Sequence, residues 1–272
     1  MSATSRAMPI LEQIHLYPVK GLRGIALEAA GIERCGLEGD RRWLVTGADR
    51  RFLTQRDLPD MATLDAIPDA AGLTLRRGDE SCRVPLPDEQ APVAAVVVWH
   101  HSLSARAADP AANDWLSARL GRPCLLWFMH DTGVRPIDPR CGLEHDRVSF
   151  ADGFPVLVVN TASLDALNDA LVQGAVPIDR FRANLVVSGF PAWDENSWQT
   201  LRIGAMRFRA PTPCARCVVV TQDQRTGERP HPGEPLKTLG RLNRQPDGII
   251  FGRNLIPEAP GRLSVGDPVS IG

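Results

Sequence analysis

Apolar positions along this chain come in short runs bounded by Gly, Pro and Asp, the pattern of many short strands with few helices. Ile14 to Val19 alternates apolar and polar at first and predicts a strand ended by Pro18, with a loop opening at Lys20-Gly21. Ile25 to Ile32 and Arg42 to Thr46 predict further strands, separated by the turn Gly36-Leu37-Glu38-Gly39-Asp40. Gly72 to Arg77 and Arg83 to Leu86 add two more. Val93 to Trp99 is continuous and β-branched, as expected of a strand buried on both faces. One helix is fully punctuated. Asp109 stands as N-cap and Pro110 at the first helical position; Trp115, Leu116 and Leu120 share a face, and Gly121-Arg122-Pro123 ends it. Cys124 to Phe128 predicts the next strand.

From His130 to His145 periodicity is lost in a Pro-, Gly- and Arg-rich stretch, the natural crossover between two halves. Beyond it, Val156 to Val159 predicts a short buried strand, and Thr161 or Ser163 caps a helix with the stripe Leu164, Leu167 and Leu171. Leu185 to Val187, Leu201 to Ile203, Met206 to Arg209 and Cys217 to Thr221 predict strands. Pro235 to Leu242 fits one or two helical turns, and Arg262 to Ile271 a final strand. The expected fold class is α+β, mainly β, with a barrel and a few short helices.

Composition narrows the function. The 272 residues allow two modest domains or one large one. The 23 glycines and 23 prolines exceed their usual combined share of about 12%, which favours turns. With 31 basic against 32 acidic residues, the surplus of cations that grips nucleic acid is missing, so no nucleic-acid partner is expected. Only Lys20 and Lys237 are lysines, so Lys20 was not drawn from a large surface pool. Met1 to Ile10 lacks the apolar core of a signal peptide, and no run approaches the ~18 residues that span a bilayer, so neither export nor a membrane is expected. Six irregularly spaced cysteines suit thiols in a reducing cytoplasm.

Three clusters carry candidate chemistry. Cys214-Ala215-Arg216-Cys217 is a C-x-x-C pair. Structural zinc needs four ligands, and the other cysteines are isolated. A thioredoxin-like site belongs at a helix start, whereas Cys217 leads into an expected strand. Two inert buried thiols remain an open alternative. Arg216 beside the sulfurs favours a thiolate, and Pro211 and Pro213 stiffen the approach. The second cluster joins Tyr17-Pro18-Val19-Lys20-Gly21 to Gly39-Asp40-Arg41-Arg42-Trp43. Its lysine, its close-approach glycine and its arginine fork suit an anion, although a solvated surface loop gives the same residues. In the third, Arg182 and Asn184 have the same parity on an expected extended segment, so a guanidinium and a carboxamide would face one flat heterocycle. A salt-bridged strand edge is the bland alternative. His100 and His101 are expected to project to opposite faces. No G-x-S-x-G, Walker A or G-x-G-x-x-G occurs, nor any pyridoxal phosphate motif.

In order, Tyr17-Pro18-Val19-Lys20, Gly39 to Trp43, Thr54-Gln55-Arg56, Asp152-Gly153-Phe154-Pro155, Phe181 to Asn184 and Trp193 to Trp198 form a series. Pro213 to Cys217, Gly233 to Leu239, Phe251 to Asn254 and Val265 to Pro268 complete it. Together, over nearly the whole chain, they resemble the MOSC family of molybdenum-cofactor proteins with its N-terminal β-barrel domain. Residues 8–129 would form the N-terminal barrel domain and 130–272 the MOSC domain, with a MOSC β-barrel core. The resemblance implies that molybdenum is bound by Cys217 and that Lys20 and Arg41 meet the cofactor's phosphate. It places Asp152, Arg182 and Asn184 at the pterin edge, with Gly21, Gly153 and Arg216 lining the same site. Gly21 and Gly153 stand where the family often has Ser or Thr, so backbone N–H groups would replace hydroxyls there. Cys214 would be structural or stand behind the ligand.

The same resemblance implies an oxidoreductase that converts N-hydroxylated compounds (hydroxylamines, amidoximes, N-hydroxylated bases) to the N–H form and water. A cofactor carrier or persulfide sulfur-transfer protein is the alternative. No C-x₄-C-x₂-C follows Cys217, so no iron–sulfur cluster is expected in this chain. Electrons would come from a separate protein, whether a reductase, a ferredoxin or a flavoprotein. The membrane anchor of mitochondrial relatives is also expected to be missing.

Overall fold

Among the residues that the structure, a computed structural model, describes (8–131, 133 and 135–272), the short apolar runs become twenty strands and three α-helices. Most of the stretch read for a signal peptide lies outside the described residues. The first half contains β1 (Ile10–Leu16), β2 (Val19–Lys20), β3 (Ile25–Leu27), β4 (Ala29–Glu33), β5 (Gly36–Leu37) and β6 (Trp43–Thr46). It continues with β7 (Asp65–Asp69), β8 (Gly72–Arg77), β9 (Glu80–Pro85), β10 (Val93–Val98), β11 (His101–Ala107), α1 (Pro110–Leu120) and β12 (Leu125–Phe128). The second half has β13 (Val156–Asn160), α2 (Thr161–Asp169), β14 (Leu185–Ser188), β15 (Thr200–Ile203) and β16 (Met206–Ala215). Last come α3 (Leu236–Leu242), β17 (Arg244–Gln245), β18 (Gly248–Pro257), β19 (Gly261–Ser264) and β20 (Val269–Ile271).

The largest sheet runs β20-β15-β16-β18-β13-β14-β1-β3, with β17 paired to β18. Its end strand β20 meets β1, next to the other end, at a seam where Val269 N–H donates to Pro9 O at 2.9 Å and Leu11 N–H to Asp267 O at 2.9 Å. The sheet therefore rolls up around Leu11, Ile14, Val158, Leu185, Phe208 and Leu255, but no continuous ladder closes it into the expected barrel. A five-stranded sheet, β10-β11-β12-β6-β2, and the meander β7-β8-β9 enclose a second core of Val19, Trp43, Met61, Leu73, Trp115 and Leu116. A third core lies where α2 and α3 meet the large sheet, and there the Phe181 and Phe251 rings stack at 3.8 Å. Strands cross the division expected at 129/130: β1 pairs with β14, and β4 pairs with β19.

Helix α1 forms as its punctuation requires. The Asp109 carboxylate accepts the Ala111 N–H, and Gly121 closes the helix in the left-handed region. Other expectations change for identifiable reasons. Strand β10 is buried on one face only, with Val93 and Ala95 exposed and Val96 and Val98 buried, because only the latter face packs on a core, that of Leu44, Leu103 and Trp127. The run from Ile25 to Ile32 splits at Glu28, where the chain leaves the large sheet for the three-stranded sheet β19-β4-β5. Val218–Thr221 is a 3₁₀ turn, not a strand; the ladder of β16 with β18 has ended, and the Thr221 hydroxyl closes the turn on Val218 O at 2.7 Å. Asn160, not Thr161 or Ser163, caps α2. Two strands, β19 and β20, replace the single one expected from Arg262 to Ile271, with Gly266 turning between them at φ 92°. The His100 and His101 rings face one another at 4.1 Å instead of diverging. No helix among the described residues is long and apolar enough to cross a membrane.

The Ser163 hydroxyl, freed from capping, donates to Glu195 Oε2 at 2.8 Å. Glu195 is 0% exposed and its Oε1 lacks a partner. Burial pushes this carboxyl up from 4.5 to about 6. The folded state therefore holds a proton that the unfolded chain releases, and stability contributed by the neutral form is lost as pH rises from 4.5 to about 6. Glu195→Gln is expected to match the parent in urea unfolding near pH 4 and to exceed it by about 2 kcal/mol at pH 7.

Candidate functional site

The β2–β6 ladder, the loop entering β13, the turn before β14 and the end of β16 converge on one cleft of about 170 Å³, open to solvent. Lys20, Gly21, Arg41, Asp152, Gly153, Arg182, Asn184, Arg216 and Cys217 all line it, although they are scattered over almost 200 positions of the chain. The anion cluster, the guanidinium–carboxamide pair and the C-x-x-C motif are therefore walls of one site.

Backbone geometry aims the cations. Lys20 ends β2, and Gly21 turns the chain at φ 86°; a side chain there would meet Met61 Cε at 2.7 Å. Lys20 Nζ reaches Asp152 Oδ1 at 2.5 Å. Burial lowers the lysine pKa, and Asp152 opposes that shift. The Asp152 side chain is 69% exposed. The cleft walls raise the cost of its charge, but Lys20, Arg56 and Arg41 outweigh them and hold the carboxyl below the ordinary range. Arg135 fixes the loop from beneath by donating to the carbonyls of Ser149, Ala151 and Asp152.

Arg41 and Arg182 both adopt left-handed backbone conformations, at φ 47° and 52°. Arg182 closes the 3₁₀ turn Ile178–Phe181, so the extended segment expected for Arg182 and Asn184 is instead a turn. The turn is set by the Arg182 N–H bond to Asp179 O at 3.0 Å. Both guanidiniums pack on the Tyr17 ring, at 4.2 and 4.5 Å from its centroid. Burial raises the Tyr17 pKa and lowers that of Arg182 to about 10. Asp40, buried beneath, accepts from Arg41 Nη1 at 2.6 Å, Tyr17 N–H at 2.9 Å and Asn184 Nδ2 at 3.1 Å. Burial raises the Asp40 pKa against the pull of Arg41. Asn184 also accepts the Leu157 N–H at 3.2 Å, so its amide ties β1, β13 and the Asp40 carboxylate together at the cleft floor.

At the sulfur end the motif is stretched. Cys214 and Ala215 belong to β16, the Arg216 N–H continues to Ile249 O at 2.8 Å, and Cys217 is extended at φ −116°, ψ −179°. This is not the wound helix start of a redox C-x-x-C pair. Each sulfur has its own guanidinium. Arg216 Nη1 lies 2.9 Å from Cys214 Sγ, and Arg56 Nη2 lies 3.3 Å from Cys217 Sγ. The cation expected to serve Cys217 thus serves Cys214, because the Arg216 side chain turns back to Phe181 O at 2.6 Å. Its Nε is buried without a partner.

Three contributors were missed from sequence: Arg56, the Tyr17 pillar and the reciprocal Gln55–Gln224 amide pair at 3.0 Å. Gln55 Nε2 also holds Gly21 O at 2.8 Å, and Gln224 Oε1 accepts from Arg182 at 3.0 Å. Thr54-Gln55-Arg56 was visible as a block, but nothing local pointed to partners 161 to 169 residues away.

Comparison with known proteins agrees with this geometry. A family model described as the MOSC N-terminal beta barrel domain matches residues 8–123, and one described as the MOSC domain matches 145–270. A Mitochondrial amidoxime-reducing component 1 of Xenopus laevis is 29% identical, over 96% of this chain and 81% of its own length. The Homo sapiens protein of the same name is 28% identical over 94% and 81%. A Molybdenum cofactor sulfurase of Oryza sativa subsp. japonica is 29% identical over 89% of this chain, which spans only 32% of that longer protein.

The two glycines that the resemblance sets at hydroxyl positions are not equivalent. A Cβ at Gly153 would meet nothing within 4 Å, whereas Gly21 combines a positive φ with the Met61 clash. Gly153→Ser is expected to change unfolding free energy by less than about 0.5 kcal/mol, and Gly21→Ser to cost more than about 1 kcal/mol, both read by urea denaturation.

Proposed function

The chain belongs to the MOSC family, and from that premise we propose that it is a molybdenum-cofactor-dependent reductase of N-hydroxylated compounds. One observation carries the reading: the sulfur of Cys217, beside that of Cys214, shares a cleft with cations drawn from both halves of the chain. The donor set fits the cofactor. No group of three or more His, Cys, Asp or Glu among the described residues could hold a metal, so a metal at Cys217 needs its remaining ligands from a non-protein group. A dithiolene pterin supplies soft sulfurs of the kind that a thiolate site selects. Its phosphate suits Lys20 and Arg41, and its flat edge suits Arg182 and finds the unpartnered Arg216 Nε. The relatives named amidoxime-reducing components support reduction of an N–OH group.

In this reading Cys217 would hold the metal, Lys20 and Arg41 would bind and orient the cofactor's anionic end, and Arg182 would meet its pterin edge. Asp152 would keep the Lys20 ammonium directed into the cleft, and the Tyr17 ring supports both guanidiniums at its wall. When bound, the cofactor supplies the electron pair that breaks the N–O bond. The substrate takes up two electrons and two protons, giving the N–H compound and water. The carboxyl of Asp152 stays ionised at neutral pH, so it positions charge and does not donate the proton. The cleft's opening admits water as the proton source, and a separate protein supplies electrons.

Purified protein is expected to carry about one molybdenum per chain by mass spectrometry. Cys217→Ser should abolish that content, Cys214→Ser should retain it, and Lys20→Ala should lower it. With a chemically reduced viologen as donor, the loaded protein should consume an amidoxime and release the amidine. A metal-bearing protein inert toward amidoximes and hydroxylamines would instead mark a cofactor carrier, the role suggested by the sulfurase relative.

A further inference from the structure

Trp99 occupies the first position of the two-residue loop between β10 and β11, where Val98 pairs with His101. Its φ is 57°, a conformation that normally selects glycine in such a loop. The indole is 39% exposed, so burial of its own surface does not explain a bulky residue there. Its contacts do. The ring meets Phe52 edge-on at 4.9 Å, and the Arg56 guanidinium lies over its face at 5.1 Å. The strand segment leading to Arg56 is itself docked on β10, through Phe52 N–H to Val97 O at 3.0 Å and Val97 N–H to Arg50 O at 2.9 Å. Among the described residues, the one hydrogen-bond partner of the Arg56 guanidinium is Cys217 Sγ, at 3.3 Å. Hairpin tip, indole, guanidinium and sulfur form a continuous line from the first half of the chain to the metal-binding atom of the second.

We propose that Arg56 is a positioning residue that donates an N–H to the Cys217 sulfur, and that Trp99 is the platform holding it there. The inference rests on the assignment of Cys217 as metal ligand. A donor on a metal-bound thiolate withdraws negative charge from the sulfur, which favours the reduced metal. Planar stacking on an indole fixes the orientation of a guanidinium better than that of a lysine ammonium. The unusual loop conformation of Trp99 is thereby explained as strain retained at a functional site.

The test uses the full chain. In cofactor-loaded protein, Arg56→Gln is expected to keep the parent's molybdenum content, to lower the reduction potential and to shift the Mo(V) electron paramagnetic resonance signal. Arg56→Lys should return part of that shift, and Trp99→Ala should move it in the same direction by less. A fully loaded Arg56→Gln with unchanged potential and spectrum overturns the inference. If the parent takes up no molybdenum, the reductase reading fails, and the free thiol decides the role of Arg56. Alkylation of Cys217 by iodoacetamide, followed by mass spectrometry at pH 7, should then slow roughly threefold or more in Arg56→Gln, with Cys214 unchanged. An unchanged or faster Cys217 rate overturns the inference in that case.

Discussion

Repulsion between like charges is the constraint that organises this protein's cleft. Lys20, Arg41, Arg56, Arg182 and Arg216 line one small volume, and desolvation works against Lys20 and Arg182 in particular. The fold answers with four devices. Asp152 pairs with Lys20, and Asp40 anchors Arg41 from below. The ring of Tyr17 receives the Arg41 and Arg182 guanidiniums, and carbonyl and amide oxygens receive N–H donors of two cations: Phe181 O from Arg216 and Gln224 Oε1 from Arg182. Such a field, fixed before any ligand arrives, is what an anion-binding site requires.

Because the compensating groups come from distant segments, the cleft and the fold cannot be separated. Asn184 supports Asp40 while bonding β1 and β13, so the residue that completes the charge network also registers the large sheet. Arg23 does the same outside the cleft, bonding Ala62 O, Asp65 and the carbonyls of Gln224 and Arg225. The cleft is thus built across the two matched domains and belongs to neither alone.

Local signals were readable in proportion to how locally they act. Helix α1 follows from Asp109, Pro110 and Gly121, each of which acts within its own turn. Strand β10 misled because a β-branched run looks the same whether one face of its sheet or both are covered, and only the core contacts of Val96 and Val98 show that Val93 is left on the open face. Arg182 and Asn184 line the cleft, but the strand expected to carry them is interrupted by the left-handed turn at Arg182, since alternation cannot register a single positive φ. The Mo-site resemblance drew Lys20, Arg41 and Cys217 together, and the coordinates bring all three to one cleft. Arg56 escaped because its meaning lies in a sulfur 161 residues away, and Trp99 because an aromatic residue near a strand end signals nothing unusual until its φ is known.

The pairing of β1 with β14 has a consequence for how the chain comes into being. Leu11 finds its ladder partner at Val187, so β1 must wait for more than 170 further residues to leave the ribosome before its backbone is satisfied. Until then an apolar, hydrogen-bond-hungry edge stands open to other nascent chains. The seam to Val269 lengthens that interval by some eighty residues more. Vectorial synthesis therefore cannot complete the large sheet in stages, and its assembly is a collective event in which β1 and β20, far apart in the chain, are joined together.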